Sequence, residues 1–364
     1  MFHGSAPDTV FDATGTLLEV LGHPKYDRPR LEHTDLTSEL EAIGAGTETD
    51  GQVRFRALGY DQAVRTHFWT YFPDLRVTFC TWVQRCVQVQ TLSAEESDAL
   101  ITRFAEQCLR TGRPEDLWRL AERWTERGQL ERLLPDAAQA LAEGLRHDRH
   151  GRAFRQKIYG WSVLPSLPKG LKQALVLGCS EVMAVRHPDQ ALVRLHHLAR
   201  RESGAGKRPA LDALLSLAPS DRRLFRLLLD RLAPGQWPAD SRIFLALAGL
   251  ASCTRALFVS VAVRDRLVSG WAAVLLHRPH QEWAEHIQHW LSAACATESH
   301  REPPLDVLVD AAARQPGVIG RMYATSQLWA HASPTEQAAR CELADLFRQK
   351  IDTAQSIEIP TNSM

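Results

Sequence analysis

A chain of 364 residues, 45% hydrophobic and 24% charged, is long and apolar enough to bury a large core, which excludes a disordered protein. Its formal net charge is zero, so no whole-molecule field draws it to nucleic acid or a membrane surface. The charge is uneven: residues 1–50 hold ten acids and three bases, whereas residues 144–231 hold seventeen bases and seven acids. That second segment is the electrostatic pointer to a polyanionic partner.

Residues 1–52 read as an acidic N-terminal appendage and linker. They contain a short apolar run at 17–21, a Pro-, His- and charge-rich connector at 23–33, a helix at 37–43 and an exposed, mobile linker at 44–51. Within them, Val10-Phe11-Asp12-Ala13-Thr14-Gly15-Thr16-Leu17 resembles the nucleophile loop of haloacid-dehalogenase-like phosphatases. Asp12 would be the nucleophile, but Thr14 stands where the acid/base Asp belongs and no strand precedes it. The favoured reading is a loop followed by a short helix. The N-terminal residues also lack the basic and apolar regions of a signal peptide, and a cytoplasmic location is expected.

Residues 53–364 read as a helical-repeat domain. Helix starts recur at Pro73, Pro114, Pro135, Pro188 and Pro334, because proline is tolerated in a first turn whose N–H has no partner. Ser93/Glu96 and Ser333/Glu336 have capping-box spacing. The predicted helices are 60–72, 74–90, 94–110, 114–127, 135–147, 150–162, 170–187, 189–202, 209–218, 221–233, 239–251, 255–277, 280–296, 304–313, 316–330 and 334–356. No alternating run is long enough to propose a sheet. A start at 73, another near 93 and a third at 114 give a helix pair about every 40 residues, the period of HEAT and armadillo arrays. The expected fold is therefore all-α, an irregular HEAT/armadillo-like α-solenoid of stacked helix pairs.

The tryptophans fit that packing: Trp69 and Trp82 flank a helix junction, Trp118 and Trp124 share a helix, and Trp283 and Trp290 are seven apart. The apolar window 243–263 carries Arg255 near its middle, where a charge is costly in a bilayer, so a buried helix pair is expected and no membrane. Arginine outnumbers lysine 37 to 6, which reflects the codon usage of a GC-rich genome before it reflects phosphate recognition. Seven scattered cysteines without a CxxC pair suggest neither a disulfide framework nor a zinc ribbon and read as small apolar residues of a reducing compartment.

Three constellations bear on chemistry. The loop 202–208 superficially resembles a phosphate-binding loop, but Arg201 and Arg208 occupy positions that need Gly and Ser or Thr, and a connector between helices is favoured. Glu282, Glu285, His286 and His289 are the metal candidate, since Glu282/His286 and Glu285/His289 are four apart; a solvated helix face is the favoured reading, and no cofactor is expected. The third is basic. Arg149, Arg152 and Arg155 step along one helix towards Tyr159 and Trp161, which would provide an aromatic platform. Arg194, Arg200, Arg201, Lys207 and Arg208, followed by Arg222, Arg223 and Arg226, make 188–232 the basic centre of the chain.

The run 186–200, RHPDQALVRLHHLAR, together with 130–151 and 154–161, resembles the helical C-terminal portion of large uncharacterised actinobacterial proteins. The resemblance spans most of 55–356 and implies helical architecture without a diagnostic activity. Some of those proteins look as if they carry an upstream ATP-binding domain, so an ATPase is a candidate partner. The expected function is a non-catalytic scaffold or regulatory adaptor binding a protein. The alternatives are a nucleic-acid-binding module using 144–231, of which a HEAT-like DNA glycosylase is a narrower version, and a metal-dependent enzyme using 282–289.

Overall fold

The computed structural model describes residues 1–23, 36–88, 92–126, 131–202, 206–296, 301–312 and 315–356. Among them the chain is nearly all helical, and its contacts divide it into two units, Met1–Arg186 and His187–Met364. The first unit holds α1 (Pro7–Val20), α2 (Leu36–Ala42), β1 (Ala45–Thr47), β2 (Val53–Phe55), α3 (Tyr60–Tyr71), α4 (Leu75–Gln88), α5 (Ala94–Arg110), α6 (Pro114–Trp124), α7 (Leu134–Arg146), α8 (Gly151–Ser162), α9 (Lys169–Leu177) and α10 (Ala184–Arg186). The second holds α11 (Pro188–Ala199), α12 (Pro209–Leu217), α13 (Arg222–Arg231), α14 (Pro238–Ser252), α15 (Arg255–Phe258), α16 (Val261–His277), α17 (His280–Ala296), α18 (Glu302–Ala312), α19 (Pro316–His331) and α20 (Gln337–Ser356).

Local chemistry explains most boundaries. Proline opens α6, α11, α12, α14 and α19. The capping box before α5 is complete: Glu96 N–H donates to Ser93 Oγ at 3.2 Å, and Ser93 N–H donates to Glu96 Oε2 at 3.1 Å. The second expected box does not form. Ser333 Oγ lies 3.2 Å from Thr335 Oγ1, Glu336 accepts from Arg340 at 2.7 Å, and α20 begins only at Gln337.

Other elements also depart from the sequence expectation. Residues 10–17 lie wholly inside α1, where Thr14 and Thr16 donate to the carbonyls of Val10 and Asp12, so no nucleophile loop exists there. The stretch 44–51, expected to be a mobile linker, contributes a strand to the antiparallel β1–β2 hairpin, with Ala45 opposite Phe55 and Thr47 opposite Val53. Gly51, at φ +79°, supplies the left-handed turn residue, and Val53 exchanges backbone hydrogen bonds with Gly4 and Ser5. Helix 255–277 breaks at Ser260, which is extended at φ −85°, ψ 115°. Helix 170–187 contains a π-helical turn at Gly178–Met183. The 243–263 window is thus divided among α14, α15 and α16, and no helix among the described residues is long and apolar enough to cross a membrane.

Within the first unit α1 packs on α4, α5 on α7, α6 on α7, and α7 on α8 and α9. The indole N–H of Trp82 donates to Ala13 O at 2.8 Å, fastening α4 to α1. In the second unit two series alternate. α11 packs on α13, α13 on α16, α16 on α18 and α18 on α20, while α12 packs on α14, α14 on α17 and α17 on α19. The large buried side chains include Trp69 and Trp124 in the first unit and Trp271, Trp283 and Trp290 in the second. Cys86, Cys108 and Cys179 are buried, and burial pushes the Cys86 thiol up to about 12, which keeps it an unreactive apolar group.

Two glycines set helix separations. A Cβ on Gly144 of α7 would stand 2.2 Å from the Phe154 ring of α8, and one on Gly270 of α16 would stand 2.2 Å from the Phe244 ring of α14. Alanine would gain about 1 kcal/mol of helix propensity, but a contact this short forces the ring or the helix to move. Gly144→Ala and Gly270→Ala are each expected to lose about 1–3 kcal/mol net, read as a lowered midpoint in urea unfolding.

Candidate functional site

Asp240 organises the most elaborate polar site of the second unit. It lies in the first turn of α14, after Pro238, where a carboxylate meets the positive end of the helix dipole. Only 1% exposed, it accepts from Ala233 N–H at 3.0 Å, forms an ion pair with Arg200, whose Nε is 3.0 Å away, and lies 3.2 Å from His196 Nε2. Burial pushes its carboxyl up, yet the His196 and Ala233 hydrogen bonds and the charge of Arg200 together hold it below the ordinary carboxylate range.

The same Arg200 lies over the Trp237 ring, 5.3 Å from its centroid. Trp237 is 53% exposed, the one exposed tryptophan among the described residues. His197, Arg200, Arg201, Trp237, Pro238 and Ala239 line an open concavity of about 330 Å³. Burial and then the neighbouring Arg200 charge lower the Arg201 guanidinium below its ordinary value. Burial first, and then His196, Arg231, Arg201 and Arg200, push His197 down to about 4, so it is neutral at pH 7 and adds no charge. The concavity therefore offers guanidinium donors beside a flat apolar ring, an arrangement suited to a carboxylate or phosphate with an apolar neighbour.

The adjacent helix terminus is already supplied with an anion. Glu202, 6% exposed, accepts from Ala210 N–H at 2.9 Å and Leu211 N–H at 3.0 Å at the start of α12. The N–H groups of Ala210 and Leu211, which a phosphate at the start of α12 would seek, are thus taken by the chain's own carboxylate; of the 202–208 loop, residues 203–205 lie outside the described set.

The expected basic residues fall into different settings. Arg194 is 8% exposed and donates to Gln190 O at 2.8 Å on its own helix. Arg223 is engaged by Asp189 through two hydrogen bonds of 2.7 and 2.6 Å. Lys207, Arg222 and Arg226 are exposed, and Arg208 is half-buried. In the first unit Arg149 and Arg152 are exposed and Arg155 is half-buried. Trp161, expected as an aromatic platform, is 4% exposed: Lys157 covers its ring at 4.7 Å, and its N–H donates to Glu122 at 2.8 Å. Only Arg200 and Arg201 of the eleven arginine and lysine candidates line the concavity.

The metal candidates lie on α17 as a helix face. Glu282, Glu285 and His289 are exposed, His286 is half-buried, and burial lowers its pKa. Among the described residues no group of three or more His, Cys, Asp or Glu gathers to hold a metal ion. What the sequence pattern missed is Trp237, His196, His197 and Asp240; the signal was Trp-Pro-Ala-Asp, a tryptophan set directly before a helix start. No protein-family model matches the chain, and no curated protein matches it.

Two outcomes follow for stability. Asp240→Ala strands His196, Arg200 and the Ala233 N–H. A wholly buried pair broken this way costs about 3–5 kcal/mol; Arg200 is 30% exposed, so a loss of about 2–4 kcal/mol is expected in urea unfolding. His197 has a folded pKa near 4, below its ordinary 6.5, so the unfolded chain binds more protons between those values. Stability is expected to be highest above pH 6.5 and to fall as the pH drops towards 4, and His197→Gln to flatten that part of a Tm–pH curve.

Proposed function

We propose that the chain is a non-catalytic scaffold or regulatory adaptor that holds a partner protein by an acidic segment at the Trp237 concavity. The carrying observation is the exposure of Trp237 beneath Arg200, beside Arg201, where every other tryptophan among the described residues is buried or half-buried. Trp and Arg dominate the energetics of protein interfaces, and a guanidinium already held over an indole loses little freedom on binding. The alternating packing series of the second unit supports an irregular HEAT-like stack of helix pairs, in which the ends and connectors carry recognition. An ATPase bearing an acidic surface segment is a candidate partner. The closed setting of Trp161 weighs against nucleic acid, which needs open rings for base stacking.

Fluorescence anisotropy of the full chain with a labelled Glu/Leu peptide, and with a single-stranded oligonucleotide of equal charge, tests this proposal. Peptide binding that drops at least tenfold in Trp237→Ala and in Arg201→Glu is expected. Tighter binding of the oligonucleotide, unchanged in Trp237→Ala and steeply weakened by salt, would select the nucleic-acid alternative.

A further inference from the structure

The Trp237 concavity limits which part of a partner can enter it, because its two chemical halves touch. The Arg200 guanidinium lies on the Trp237 indole, 5.3 Å from the ring centroid. Asp240 engages Arg200 through Nε, and the Nη groups are the donors that remain to meet a ligand. The part of the indole that Arg200 does not cover stays in solvent beside Pro238 and Ala239. A ligand that uses both halves must therefore present an anion and an apolar group within about 6 Å of each other, the reach of a guanidinium stacked on a ring.

The charge around the concavity favours an anion. Arg200 and Arg201 line it, and Arg231 of α13 acts on His197. Arg278 donates to Pro234 O and Ser241 Oγ in the stretch that leads into α14. Of the carboxylates, Asp240 holds Arg200, Glu202 is spent on α12 with Arg242 at its carbonyl, and Asp230 is paired with Arg266 at 2.6 Å. Even with Arg242 and Arg266 set against Glu202 and Asp230, the guanidinium groups stay in excess.

Size narrows the choice further. At about 30 Å³ per non-hydrogen atom, a concavity of about 330 Å³ accommodates roughly eleven such atoms. Side chains of an extended peptide alternate between faces, so an internal glutamate finds an apolar side chain on its own face only two residues on, about 7 Å away. Both side chains and the backbone between them come to about twenty atoms, too many for the space. A chain-terminal leucine carries its carboxylate and its apolar side chain on one Cα, in about nine atoms. The concavity is open, whereas a small-molecule site buries most of its ligand, so the remainder of the ligand lies outside, as the chain leading to a terminal residue does.

We infer that the concavity is a carboxyl-terminus pocket: the partner's acidic segment enters by its last residue, an apolar one such as Leu, with the α-carboxylate on Arg200 and Arg201 and the side chain on the Trp237 ring. This inference rests on the adaptor reading.

Labelled hexapeptides of one acidic sequence ending in Leu test it on the full chain by fluorescence anisotropy, as the free acid, as the C-terminal amide and as the free acid extended by Gly-Gly. The extended peptide keeps the net charge and the leucine but moves the carboxylate away from it. The free acid is expected to bind at least tenfold tighter than either, and at least fivefold tighter than a peptide ending in Gly. Arg201→Gln is expected to cut the acid-over-amide preference below threefold, and Trp237→Ala to cut the Leu-over-Gly preference below twofold, in variants that keep the thermal transition of the unaltered chain. N-acetyl-leucine is expected to displace the free acid only at concentrations at least tenfold above the Kd of the peptide. Equal binding of acid, amide and extended peptide to the unaltered chain would overturn the inference and leave the adaptor reading standing. Displacement by N-acetyl-leucine at the Kd of the peptide would overturn it in favour of a small carboxylate, and absence of saturable binding by any of the peptides would overturn both readings.

Discussion

Each helix carries an apolar stripe too wide to leave in water and too narrow to close on itself, so neighbouring helices must bury it. α13 is a clear instance: Leu224, Phe225, Leu228 and Leu229 are buried, while Arg222, Arg223 and Arg226 face outward. The same demand is met on α17, where Trp283, Ile287 and Trp290 turn inward, Glu282, Glu285 and His289 are left outside and His286 stands half-buried at the edge. Side chains available for recognition are those that packing does not claim, and the two glycine contacts show how close the claimed faces approach.

The helices were legible because this constraint writes itself into the sequence at a period of 3.6, and because proline marks first turns. α5, α6, α11 and α17 lie close to where spacing and capping put them. The hairpin at Ala45–Phe55 was not legible: its strands are three residues long, and the partners that fix them, Ser5 and Leu40, lie elsewhere in the chain. The cap at Ser333 failed for a local reason, since Ser333, Thr335, Glu336 and Arg340 find side-chain partners among themselves that the spacing rule ignores. The break at Ser260 and the π-turn after Leu177 lie inside continuous helical patterns, which hide them.

The candidate site was half legible. The basic segment drew attention to Arg200 and Arg201, but a count of charges cannot tell an available guanidinium from one spent on its own fold. Arg194 serves its helix, Arg223 serves Asp189, and Lys157 covers Trp161. The missing half was Trp237 with Asp240, a ring and a carboxylate that lie about forty residues beyond Arg200 and gain meaning only when the first turn of α14 meets the side chains at the end of α11. Asp240 neutralises Arg200 from the buried side and fixes its orientation, which leaves the guanidinium lying on the indole rather than searching solvent.

Glu202 has a mechanical consequence. Its two carboxylate oxygens grip the first turn of α12 from the end of α11, and its carbonyl accepts from Arg242 of α14 at 3.0 Å. Three helices thus meet at one residue. Sliding or rotating α12 against α11 would break both carboxylate bonds together, leaving a buried charge unsolvated, so small displacements are resisted as a unit. The α11–α12 hairpin behaves as a stiff lever, and force applied to it is passed to α14, the helix that bears Asp240 and follows Trp237.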